Sequence, residues 1–103
     1  MKDEKIICAA IWYKNFDKPQ HSPINIDKGV VLCGHRHGHI IGQMISLTGL
    51  RTVKSGEDSV GEYVQGFLTS KNRFLDRKEA LILFKENGGK PDFNDELYSE
   101  DLY

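Results

Sequence analysis

The stretch EYVQGFLTSKNRFLDRKEALILFKENGG, residues 62–89, decides the fold. Its opening, Glu62 to Thr69, is an extended pattern carried by Tyr63, Val64 and the Phe67–Leu68 pair. Ser70, Lys71 and Asn72 read as a turn into Arg73, Phe74 and Leu75, which makes a hairpin. The period then changes to that of a helix. Asp76 is placed to cap it, and Glu79, three residues on, can reach back in capping-box fashion. Ala80, Leu81, Leu83 and Phe84 supply a buried face, and Asn87-Gly88-Gly89 is a strong C-terminal stop.

The same order of extended run and then helix occurs earlier. Lys5 to Tyr13 is a nine-residue run rich in β-formers, and its near-continuous apolarity suits a central strand. Asn15 to Asn25 holds two of the three prolines and reads as a loop, followed by a short apolar strand from Gly29 to Cys33. Between His35 and Leu50, Ile40, Ile41, Met44, Ile45 and Leu47 or Thr48 recur at helical spacing. Together these elements predict an α+β fold, a small, mainly antiparallel sheet with two helices packed on one face. The segment 90–103 carries Phe93, Leu97, Tyr98, Leu102 and Tyr103 among acids, more apolar surface than a free tail needs. It is expected to dock on the sheet or on a neighbouring subunit.

The 103 residues amount to one domain, 1–103, read as a single ligand-binding domain with 90–103 as its docking tail. A chain this short buries only roughly 65% of its unfolded surface, so a partner subunit can cover spare apolar area. Hydrophobic residues are 39% and charged residues 28%, values of a folded chain and not of a disordered one. Fourteen Lys and Arg against 15 Asp and Glu leave a net charge of −1. That balance argues against a polymeric nucleic acid or a membrane surface as partner, while permitting a local basic pocket. The N-terminal residues carry acids and lead into too short an apolar run for a signal peptide or a membrane span, so a cytoplasmic location is expected. Cys8 and Cys33 both sit inside apolar runs and read as buried free thiols ahead of a disulfide.

Chemistry concentrates in two places. Gly34-His35-Arg36-His37-Gly38-His39 leads from a strand into a helix, where unpaired backbone N–H groups and the helix dipole suit a phosphate or carboxylate. Two bland or competing readings stand beside this one. The histidines can simply begin the helix on the surface, or their alternating spacing can serve a metal, as in metallohydrolases. Those enzymes need further ligands from distant loops, and the remaining histidine is His21, so no metal and no cofactor is expected. The second place is the hairpin, where Phe67 or Phe74 could stack on a base and Arg73 and Arg77 could pair with phosphate oxygens. Thr69 and Asn72 are polar side chains between them. For the aromatics a core role outweighs a ligand role; for the arginines solvation and binding weigh about evenly. No Gly-x-Ser-x-Gly elbow, Walker loop or Gly-x-Gly-x-x-Gly fingerprint occurs, so no catalytic residues are expected.

Four blocks in order carry a likeness. They are Gly34-His35-Arg36-His37, Gln65-Gly66-Phe67-Leu68-Thr69, Arg73 to Ala80 and Ser99-Glu100-Asp101-Leu102-Tyr103. Together they resemble the Thoeris anti-defence proteins of the first type, small phage proteins that act as sponges for a signalling nucleotide. The resemblance implies a non-enzymatic protein that sequesters a cyclic ADP-ribose isomer made by bacterial TIR-domain enzymes. It implies assembly into dimers or hexamers, with cyclic oligonucleotides at a separate site in some members. Arg36, Phe67, Arg73 and Arg77 would then be pyrophosphate and base contacts, within a candidate set of His35, Arg36, His37, Phe67, Thr69, Asn72, Arg73 and Arg77. Asn15 to Ile26 has no counterpart in that family. Two other readings are an inhibitor that holds a host protein through its aromatic tail and a small metallophosphoesterase using His35, His37 and His39.

Overall fold

A computed structural model describes residues 3–53, 56–89 and 96–98. The chain forms β1 (Ile6–Tyr13), β2 (Val30–Gly34), α1 (His37–Thr48), β3 (Tyr63–Thr69), β4 (Phe74–Asp76) and α2 (Arg77–Glu86). The sheet is four-stranded and antiparallel throughout, in the order β2-β1-β3-β4. Strand β1 is therefore interior, and its side chains are covered on both faces, by the helices on one and by the cluster around Ile26 on the other, which is why its sequence is apolar at nearly every position. This is the α+β architecture that the sequence predicts.

Side chains alternate across the sheet. Ala9, Ile11 and Tyr13 of β1, with Phe67 of β3 and Leu75 of β4, share one face. Against it pack Ile40 and Met44 of α1, Ala80, Leu81 and Leu83 of α2, and Leu97, all in one buried cluster. Both helices thus lie on the same side. One stripe of α1 meets the sheet, so the wider apolar set read from the sequence is only partly used. Ile45 and Leu47 remain exposed.

The opposite face has no helix. Ala10 and Phe74 lie there beneath Ile26 of the loop, with Trp12, Val31, Val64 and Leu68 around them. This placement corrects the reading of the thiols. Cys33 stands on an edge strand and points to the helix-free face, so it is exposed, and Cys8 is half-buried.

The loop does more than connect. The Asn25 side chain donates to the Phe74 carbonyl at 2.6 Å and accepts from the Phe74 amide at 2.8 Å, a pairing like that of a neighbouring strand. At the other helix end the expected devices are present. Asp76 accepts from the amides of Lys78 and Glu79, and Glu79 accepts from the Asp76 amide, a complete capping box. Asp76→Ala removes it and is expected to cost about 1 kcal/mol, read as a fall in Tm of about 4–8 °C. An unchanged Tm would show that the cap contributes nothing to the folded chain.

Candidate functional site

The candidate residues fall into three separate settings. At the start of α1, Arg36 occupies the N-cap position without a side-chain cap and is half-buried. His35 and His39 stack on each other outside, with ring centroids 6.1 Å apart. His37 turns inward instead. It is buried, its Nε2 donates to the Gly66 carbonyl at 2.7 Å, and it meets Phe67 edge to face at 5.2 Å. The three alternating histidines therefore do not converge on one point, as a shared metal ion requires. His37 and Phe67 are brought together, but as buried partners in the core. Phe67 has no exposed surface on which a base could stack.

The second setting is a clasp between the hairpin and the chain start. Arg73 Nε and Nη2 donate to the two carboxylate oxygens of Glu4, each at 2.7 Å. Thr69 Oγ1 adds a third bond to Glu4 at 2.6 Å while accepting from the Lys71 and Arg73 amides. Glu4 is buried, and its pKa is lowered to about 2. The Arg73 bonds are the main cause, with Thr69 adding and burial opposing. Arg73 and Thr69 are thus both tied to Glu4, with the Arg73 side chain still partly exposed. Asn72 holds the turn in a left-handed conformation, φ 58°, and donates to the Ser22 carbonyl at 3.1 Å.

The third setting is a cleft of about 400 Å³ along β3 and the start of α2, lined by Tyr63, Gln65, Asp76, Arg77 and Glu96 among others. Arg77 is the arginine of its lining. Its Nη2 donates to Gln65 Oε1 at 2.6 Å, and its guanidinium sits 4.7 Å from the centroid of the Tyr98 ring. Among the described residues, Arg77 Nε is buried and has no hydrogen-bond partner. The Leu97 amide donates to the Arg77 carbonyl at 3.0 Å, so the tail is docked on its own chain at 96–98, with Leu97 fully buried. Phe93, Leu102 and Tyr103 of the expected docking tail, and the block Ser99 to Tyr103, lie outside the described residues.

Among the candidate arginines, Arg77 combines a fixed guanidinium, an aromatic platform and an open cleft. The sequence reading misses Gln65, Tyr63 and Tyr98 as its companions. Tyr98 comes from 21 positions downstream of Arg77, and no local pattern announces that contact. The Asp76 carboxylate does not cancel the cation, because it is turned to the helix amides.

The family model described as phage T4 y16D protein matches residues 5–103. No curated protein and no solved structure matches. No helix among the described residues is long and apolar enough to cross a membrane. The chain belongs to the phage T4 y16D protein family.

Proposed function

We propose that this member of the phage T4 y16D protein family is an anti-defence sponge. On this reading it binds a cyclic ADP-ribose-type nucleotide in the host cytoplasm and holds it without cleaving it. The observation that carries the reading is Arg77. A guanidinium fixed over Tyr98 lines a cleft large enough for a small ligand. A pyrophosphate oxygen can accept from the outer guanidinium N–H groups, and a bond of that charge-assisted kind contributes roughly 1.5 to 3 kcal/mol. Tyr63, half-buried on the cleft wall, offers a ring for a base. The resemblance to the Thoeris anti-defence proteins supports the choice of nucleotide. The open side of the cleft suits closure by a second copy, in keeping with a homo-oligomer.

The test uses the intact protein incubated with the reaction mixture of a TIR-domain enzyme, followed by native mass spectrometry and heat release. The expected result is an intact cyclic ADP-ribose isomer released in near-stoichiometric amount. A bare protein would overturn the reading, and a linear product would make the protein an enzyme. Arg77→Ala is expected to weaken binding about tenfold or more while leaving the Tm of the chain nearly unchanged. Arg73→Ala is not an equivalent probe, because it breaks the Glu4 clasp. Repeating the incubation with cyclic oligonucleotides tests for the second ligand class.

A further inference from the structure

Away from the cleft, on the helix-free face of the sheet, the two cysteines lie side by side. Cys33 of β2 pairs with Ala10 of β1, and Cys8 lies two residues from Ala10 on the same strand. Even spacing puts both thiols on one face as diagonal neighbours. Each thiol perturbs the titration of the other, as neighbours on one face do. Three further features mark the place. Strand β1 is irregular between Ile6 and Cys8, and such a bulge re-aims the side chains beside it. Strand β2 is an edge strand, bonded to β1 alone among the described strands, so it can shift toward Cys8 without breaking a second ladder. Cys33 is exposed and lines a second cleft of about 340 Å³ with His21, Pro23 and Leu68, which opens the thiols to small reagents.

We propose that Cys8 and Cys33 form a reversible cross-strand disulfide by exchange with a small disulfide such as oxidised glutathione. The step balances as two displacements. One protein thiolate attacks a sulfur of the small disulfide, forming a mixed disulfide and expelling one small thiolate, which takes up the released proton. The neighbouring cysteine, losing its own proton, then attacks the protein sulfur of that mixed disulfide. The Cys8–Cys33 bond forms and the second small thiol leaves. The dithiol is oxidised by two electrons, and one small disulfide is reduced to two thiols.

The neighbouring Cys33 thiol lowers that of Cys8 to about 7, while Cys8 and burial raise that of Cys33, so one of the pair is ready to attack near neutral pH while the other stays protonated until its turn. Diagonal positions on paired strands are wider apart than a relaxed disulfide prefers, so the bond draws β2 inward under strain. Strained and exposed disulfides are the readily reduced ones, which makes this link reversible and not a permanent staple. Structural disulfides are rare in a reducing cytoplasm, whereas transient ones of this kind occur there.

The experiment titrates the reduced, full-length protein with oxidised glutathione near neutral pH and reads intact mass and free thiols. The expected product has lost two hydrogens and both free thiols, peptide mapping joins the Cys8 and Cys33 peptides within one chain, and dithiothreitol restores the starting mass. Cys8→Ser and Cys33→Ser are each expected to stop at a stable glutathione adduct on the remaining cysteine. A stable adduct on the wild-type chain, a link between two copies, or no loss of thiols would each overturn the proposal.

Discussion

Gly66→Ala is expected to remove about 3 kcal/mol or more of the stability of the protein. A methyl group on Gly66 would run into the Leu75 carbonyl oxygen and stand 2.8 Å from the Phe74 ring. The first obstacle is backbone of the adjoining strand, which no rotamer change can move. Gly66 also accepts the bond from His37, so a shift of β3 there disturbs the seating of α1 as well. Overpacking of a fitted core costs about 1–3 kcal/mol, and a backbone obstacle belongs at or above the top of that range. A small domain holds only about 5–15 kcal/mol in total. The expected reading in thermal denaturation is a Tm lower by about 12 °C or more, at about 4–8 °C for each kcal/mol. A Tm within a few degrees of wild type would mean that β3 and β4 are not held at this spacing.

The second large effect lies in the Glu4 clasp. Arg73→Met keeps much of the stem but leaves the buried Glu4 carboxylate without its cation. Breaking such a pair leaves an uncompensated charge, and because the Arg73 side chain is 41% exposed the expected loss is discounted to about 2 kcal/mol. The same contact predicts a pH dependence. Glu4 has a folded pKa of about 2 against an ordinary value of 4.5, so the unfolded chain binds this proton first as the medium is acidified. Its stabilisation is complete above the ordinary value and disappears as the pH falls from about 5 toward 2. Urea midpoints measured at neutral pH and near pH 3 are expected to fall more steeply for wild type than for Glu4→Gln. Identical acid profiles for the two proteins would exclude the clasp as a source of acid sensitivity.

What could be read from the sequence was what nearby residues settle among themselves. The capping box of α2 and the turn at Asn72 depend on residues a few positions apart, and each stands where its pattern places it. The central place of β1 was legible because a strand covered on both faces has no polar side to show. The clasp was not legible. Glu4 and Arg73 are 69 positions apart, and an acid near the chain start reads as solvated until the fold brings it under the hairpin. The exposure of Cys33 was misread for a similar reason. Val30 to Leu32 make its surroundings look apolar, yet only alternate residues of an edge strand face the helices. The cleft was half legible, since Arg77 stood out as a cation near a helix start while Tyr98 arrives from the tail.

The bonds of Asn25 bear on how copies of this chain could join. On β4, the Phe74 amide and carbonyl are taken by the Asn25 side chain, and the Asp76 amide is taken by Glu79. That margin of the sheet is sealed against an incoming strand by two side chains. Strand β2, at the other margin, has no such cover among the described residues and pairs with β1 alone. Growth by strand addition therefore has one open end and one blocked end. Two copies meeting β2 to β2 would use up both open ends at once, and the chain reaction that leads from edge pairing to fibres would stop at the pair.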